Sequence, residues 1–157
     1  MEVKLLEAFI FSFFATVAFG VLFQAPKKSL PISGAIGALG WVVFVFLRQY
    51  MEVNSFYANF IATAALSLAS ELCARSFKQP ATIFVIPGII PLVPGLGMYQ
   101  GMAQIISKSY DNCMTILLTA GTDSAAIALG VMVMTSMFRV IKISKEANLL
   151  FKGGGFK

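Results

Sequence analysis

A single carboxylate, Asp123, interrupts the apolar run from Cys113 to Phe138. At a bilayer centre a carboxylate costs on the order of 2.5–3.5 kcal/mol on insertion scales, so it must face protein or water. On a helix Asp123 shares a face with Thr119, Ala120, Ala126, Ile127 and Gly130. That surface is small and partly polar, suited to a cavity wall or to a close helix contact. Two readings stand side by side: a proton or cation site coupled to transport, and a structural hydrogen bond or ion pair to a neighbouring helix. The second chemical feature is Ile83 to Gly101, which holds Pro87, Pro91 and Pro94 with Gly88, Gly95, Gly97 and Gly101. Residues 79–107 carry no charge. Each proline lacks an N–H and clashes with the carbonyl four residues earlier, so three of them do not fit one regular helix. Broken backbone at membrane depth is tolerated where it is packed in protein or lines a wet cavity. In transporters such broken helices form the substrate site, with loosened carbonyls and half-helix ends aimed at the ligand. The plainer reading of the prolines is a kink needed for packing. Gln100 and Gln104 fall on one helical face just beyond. Together with Thr115, Thr119, Thr122 and Ser124 they offer hydrogen bonds to a small polar solute, or serve as glue between helices.

Other chemistry is poorly supplied. The chain has no His, which removes the commonest general base and metal ligand. Cys73 and Cys113 are far apart, so no metal site is expected, and no cofactor. No base stands ready for a serine nucleophile. Asp123 has no evident mate for aspartyl chemistry, and no glycine-rich loop carries a Lys-Ser/Thr phosphate signature. The chain reads as a non-enzyme.

The elements that position these residues are membrane spans. Of the 157 residues, 58% are hydrophobic and 12% charged, with a mean hydropathy of +0.83. Soluble domains average roughly a quarter charged. The fold class is therefore all-α, a polytopic integral membrane protein with about five transmembrane helices, the fourth broken by Pro and Gly. A single transmembrane domain covers 1–157, with spans near 6–25, 31–48, 54–73, 81–104 and 113–138, and a cytoplasmic tail at 139–157. A separate soluble domain is not expected. The first span opens with Glu2, Lys4 and Glu7 rather than a basic run, and reads as a retained helix, not a signal peptide. The second has Ser33, Gly34, Gly37 and Ala38 at spacings that admit a close neighbour, and the third repeats this with Ala58, Ala62, Ala65 and Ala69. Trp41 reads as packing. Glu71 reads as an i,i+4 partner of Arg75 near the interface. The Gly-rich end from Lys152 to Lys157 reads as disordered.

The net charge of +5 is spread in short clusters between apolar segments, which reports orientation and not nucleic-acid binding. With five spans and the N-terminus outside, the inner side carries Lys27, Lys28, Arg75, Lys78, Arg139, Lys142, Lys145, Lys152 and Lys157. The outer side carries Lys4, Arg48 and Lys108. The basic excess then lies inside, as the positive-inside rule requires. A re-entrant fourth segment would put the basic C-terminus outside, so a spanning but broken segment is preferred.

The run Val85-Ile86-Pro87-Gly88-Ile89-Ile90-Pro91-Leu92-Val93-Pro94-Gly95, with Tyr99 shortly after and Ile116-Leu117-Leu118-Thr119 opening the last span, resembles the threonine/serine exporter family. It is most similar there to the YjjB-like small subunits. The resemblance implies a bacterial inner-membrane protein that works with a YjjP-like membrane subunit to export small metabolites. Threonine and serine are the solutes implied for the long form, succinate-type dicarboxylates for the split form. It assigns no role to Asp123. On the residues themselves, the expected substrate pathway is Pro87, Gly88, Pro91, Pro94, Gly95, Gln100, Gln104, Thr119 and Asp123. The expected partners are membrane lipid, the second subunit and a small polar or carboxylate-bearing solute. A structural membrane subunit and a small homo-oligomeric channel remain the alternatives.

Overall fold

The computed structural model describes residues 5–107 and 112–153, with side chains as far as Ile141. Six α-helices follow in order: α1 (Leu5–Leu22), α2 (Leu30–Gln49), α3 (Ser55–Phe77), α4 (Thr82–Ile89), α5 (Gly95–Ile106) and α6 (Cys113–Gly153). A 3-10 turn at Ile90–Leu92 joins α4 to α5. Among the described residues the chain is all-α. Four helices are long and apolar enough to cross a membrane: α1, α2, α3 and α6 over Cys113–Ile141. The pair Thr82–Leu92 and Gly95–Ile106, bent by 50°, makes a fifth when counted as one span.

Local chemistry fixes the boundaries. α1 ends at Leu22, and Gln24, with a φ of 56°, turns the chain. The Ser29 hydroxyl then donates to the Pro26 carbonyl at 2.8 Å, and Pro31 sits in the first turn of α2, where its missing N–H costs nothing. Asn54 caps α3 by accepting from the Phe56 N–H at 3.0 Å. Lys78, with φ of 52°, closes α3 in the left-handed conformation. α6 runs past the expected end of the last span at 138 and continues to Gly153, through a Lys-Glu-Ala-Asn-Leu-Leu stretch of mostly good helix formers. Expectations for Glu2, Lys4, Lys108 and the last four residues lie outside the described residues.

Small residues set the packing, as their spacing predicts. Gly37 of α2 lies directly on the Thr16 side chain of α1, and Gly34 lies on Phe13 and Val17. The buried stripe of α1 is Ala8, Ser12, Thr16 and Gly20. Leu66 of α3, fully buried, is received by Gly40 of α2 and by Gly88 of α4. Around it pack Ile36, Ala62, Phe84, Val85, Leu92 and Ile127. Trp41 joins this core from the side and lies 5.3 Å from the Phe44 ring. Gly130 of α6 is required by contact with backbone: an added Cβ would meet the Phe60 carbonyl at 2.9 Å.

These contacts give the helix directions. Ser55 meets Asp123, Thr63 meets Gly130, and Arg75 meets Phe138. Numbers rise together, so α3 and α6 run parallel. Gly97 faces Ala120 and Gly101 faces Leu117, so α5 and α6 run antiparallel. The segment from Thr82 to Ile106 therefore carries the chain from one end of the bundle to the other.

One sequence expectation is corrected. Glu71 and Arg75 form no ion pair among the described residues. The Arg75 guanidinium instead donates to the Phe138 carbonyl at 3.3 Å and lies 4.8 Å from the Phe138 ring centroid. A cation over an aromatic face and a carbonyl acceptor outcompete an exposed i,i+4 pair worth only a few tenths of a kcal/mol.

Candidate functional site around Asp123

The break in the fourth segment has a definite location. Pro87 lies inside α4 without ending it. A helical residue 87 would bond the Ile83 carbonyl, and proline cannot. The Ser33 hydroxyl of α2 donates to that carbonyl at 3.3 Å, which supplies the partner a low-dielectric surrounding demands. Val93 is extended (φ −61°, ψ 129°), and Pro94 (φ −75°, ψ 53°) makes an inverse γ-turn in which the Gly95 N–H donates to the Val93 carbonyl at 2.7 Å. Helical bonding resumes when the Met98 N–H reaches the Pro94 carbonyl at 3.1 Å.

Asp123 stands at this break. A groove of about 320 Å³ is lined by Pro94, Gly97, Thr115, Ile116, Thr119, Ala120 and Asp123. Asp123 itself is 8% exposed. Its Oδ2 accepts from the Ser55 hydroxyl at 2.7 Å, and the Asn59 amide donates to the same Ser55 oxygen at 3.4 Å. The carboxylate is thus held from α3 on one side and opens to the groove on the other. Pro94 is the N-cap of α5 and Gly97 lies in its first turn, where the N–H groups of Leu96 and Gly97 have no helical partner and the helix dipole favours negative charge. The groove joins three features: a held carboxylate, a helix N-terminus, and two threonines. Both threonine hydroxyls lie on the exposed side of α6, and that of Thr119 donates to the Thr115 carbonyl at 2.8 Å.

The residues expected to form one pathway divide. Pro94, Thr119 and Asp123 come together at the groove. Gly95 is exposed at the start of α5, and Pro91 is half-buried in the 3-10 turn. Pro87 and Gly88 are buried, Gly88 against Leu66 of α3, and serve packing at the centre of the bundle. Gln100 is exposed on α5; Gln104 is half-buried, with its Oε1 unpartnered among the described residues. Neither glutamine lines the Asp123 groove. On the face predicted for Asp123, Ala120, Ala126, Ile127 and Gly130 are buried with it, while Thr119 is exposed.

Sequence reasoning missed Ser55 and Asn59. A signal was present: Ser55, Asn59, Thr63 and Ser67 recur at spacing four along α3, a polar stripe on a membrane helix. Asn59, Thr63 and Ser67 are each at most 2% exposed. The Thr63 hydroxyl bonds back to the Asn59 carbonyl at 2.7 Å.

Comparison with known proteins follows the same lines. The family described as "Threonine/Serine exporter, ThrE" matches residues 8–137. A threonine/serine exporter of Corynebacterium glutamicum is 32% identical over 117 residues, 72% of this chain and 24% of that protein. An uncharacterised protein of Haemophilus influenzae is 26% identical over 103 residues, 66% of this chain and 34% of that protein. The match thus spans a quarter to a third of the length of these curated relatives. No solved structure matches the chain.

Proposed function

This chain belongs to the threonine/serine exporter family, and from that premise we propose that it is one membrane subunit of a secondary exporter of small polar metabolites. The rest of the transport unit is a YjjP-like membrane subunit, and the setting is the bacterial inner membrane with the N-terminus outside. The observation that carries this reading is the meeting of Asp123 with the broken backbone at Val93–Pro94 in one groove. An amino-acid zwitterion fits both poles of that groove. Its ammonium pairs with the Asp123 carboxylate, and its carboxylate takes the free N–H groups of the first α5 turn. An ionised Asp123 repels a dicarboxylate dianion, so threonine and serine are favoured over succinate. The proton gradient drives export, with Asp123 as the group that alternates between proton and substrate ammonium. The absence of His leaves a carboxylate as the natural carrier of that proton.

The test is export of labelled threonine, serine and succinate from cells carrying this chain alone, the chain with its partner, or the pair with Asp123→Asn. The expected result is amino-acid export that needs both chains and falls to background with Asp123→Asn at unchanged membrane levels. Succinate export in place of amino acids would overturn the substrate assignment. Normal export by the Asp123→Asn pair would overturn the mechanism.

A further inference from the structure

At the opposite end of the bundle a larger cleft, about 740 Å³, opens between α3, the start of α4 and α6. Three cations line it from two helices and the α3 C-cap: Arg75, Lys78 and Arg139. Glu71 is its one acid, half-buried and tied to none of the three by an ion pair among the described residues. Ala74, Ala81, Val85 and Val131 add an apolar wall, beside the polar Gln79, Thr82 and Thr135. Arg75 is already oriented, since Phe138 lies under its guanidinium and the Phe138 carbonyl holds Nη2. Its remaining N–H groups are free for an anion, and a guanidinium matches phosphate oxygens two at a time.

We propose that this cleft is a binding site for the phosphate headgroup of an anionic phospholipid, with the lipid's glycerol and upper acyl chain along the apolar lining. Three cations beside an apolar wall suit an amphiphile, whereas a free anion has no use for the wall. Basic pockets between membrane helices recognise lipid headgroups by this combination. Lys78 and Arg139 are exposed, so the site faces outward from the bundle and a lipid reaches it without any opening of the core. The site is separate from the Asp123 groove and does not rest on the transport reading.

The experiment uses the full chain in nanodiscs of phosphatidylcholine, or of phosphatidylcholine mixed with phosphatidylglycerol. Native mass spectrometry reads the retained lipid, and thermal melting reads stabilisation. Further arms add inorganic phosphate or succinate to the phosphatidylcholine discs. The variants are Arg139→Gln, Lys78→Asn (a residue that tolerates the left-handed backbone) and the pair. Arg75 is left intact because it ties α3 to α6. Phosphatidylglycerol should be retained over phosphatidylcholine and raise the melting temperature. Its retention should fall roughly fivefold for each charge removed, while melting in pure phosphatidylcholine stays unchanged. Equal retention of the two lipids, or undiminished retention by the double variant, would overturn the proposal. Equal stabilisation by inorganic phosphate or succinate would overturn it too, because the site would then read a free anion. Should the double variant melt lower in phosphatidylcholine, Arg139→Gln alone decides by the same two outcomes.

Discussion

The Ser55–Asp123 hydrogen bond gives the two readings that the sequence leaves open for the carboxylate different expected outcomes. Asp123 is legible from its solitude in an apolar run. Ser55 is not, because its pairing depends on the register of α3 against α6, a tertiary property that no local pattern encodes. If Asp123 were there only to bind α3, Asn would serve as well, since its side-chain oxygen also accepts from the Ser55 hydroxyl. Asp123→Asn should then leave export intact. If the carboxylate moves a proton or binds an ammonium, Asn abolishes export with little effect on stability. Ser55→Ala behaves in the opposite way. It removes an interhelical hydrogen bond worth about 1 kcal/mol in membrane proteins, and the carboxylate remains. The expected outcome is a loss of about 1 kcal/mol in detergent unfolding with residual export well above that of Asp123→Asn. Export as low as that of Asp123→Asn would show that the hydroxyl, and not the carboxylate alone, is needed at the groove.

At the scale of elements, the prolines announce a break but do not say where it falls. Pro87 sits within α4 because Ser33 takes the Ile83 carbonyl that proline leaves without its donor. Pro94 ends the run because Val93 before it is extended, the conformation favoured ahead of proline. The difference between the two lies in neighbours from α2, so composition alone treats them alike. The same holds for the glycines: Gly88 and Gly101 receive leucines from α3 and α6, whereas Gly95 meets nothing within 4 Å. The hairpin of α5 and α6 then closes the groove, with a Cβ on Gly97 placed 3.6 Å from the Ala120 Cβ. That separation lies within the range a disulfide requires. In a chain with Cys73→Ala and Cys113→Ala, the pair Gly97→Cys and Ala120→Cys should cross-link on mild oxidation, read as a mobility shift reversed by reductant. Gly95→Cys with Ala120→Cys should not. Cross-linking of both pairs would mean that α5 does not hold the register that builds the groove.

For the molecule as a whole, the charge pattern and the helix directions converge on one arrangement. Among the described side chains, Lys27, Lys28, Arg75, Lys78 and Arg139 gather at one end. The α1–α2 turn there shares a cleft with Thr82 of α4, and Arg75 reaches Phe138. Arg48 lies at the other end, bonded to the Val53 carbonyl beside the start of α3. The described charges thus cluster as charge counting groups them from sequence, because lysine and arginine stay where the chain leaves the bilayer. Charge counting favours a spanning fourth segment only through the basic stretch beyond α6, since residues 79–107 carry no charge of their own. The parallel course of α3 and α6 supplies the missing constraint. A re-entrant segment would return α6 antiparallel to α3. We expect single cysteines at Glu52 and Ser107, in a chain lacking Cys73 and Cys113, to react with an impermeant maleimide in intact cells. A cysteine at Lys28 should react only after the membrane is opened. If the cysteine at Ser107 instead labels together with that at Lys28, the fourth segment returns to its own side and the five-crossing arrangement fails. If all three sites reverse while Glu52 and Ser107 still label together, the crossing count stands and only the orientation inverts. In that case the basic end would face outward, against the positive-inside preference, and the lipid cleft would meet the outer leaflet instead of the inner one.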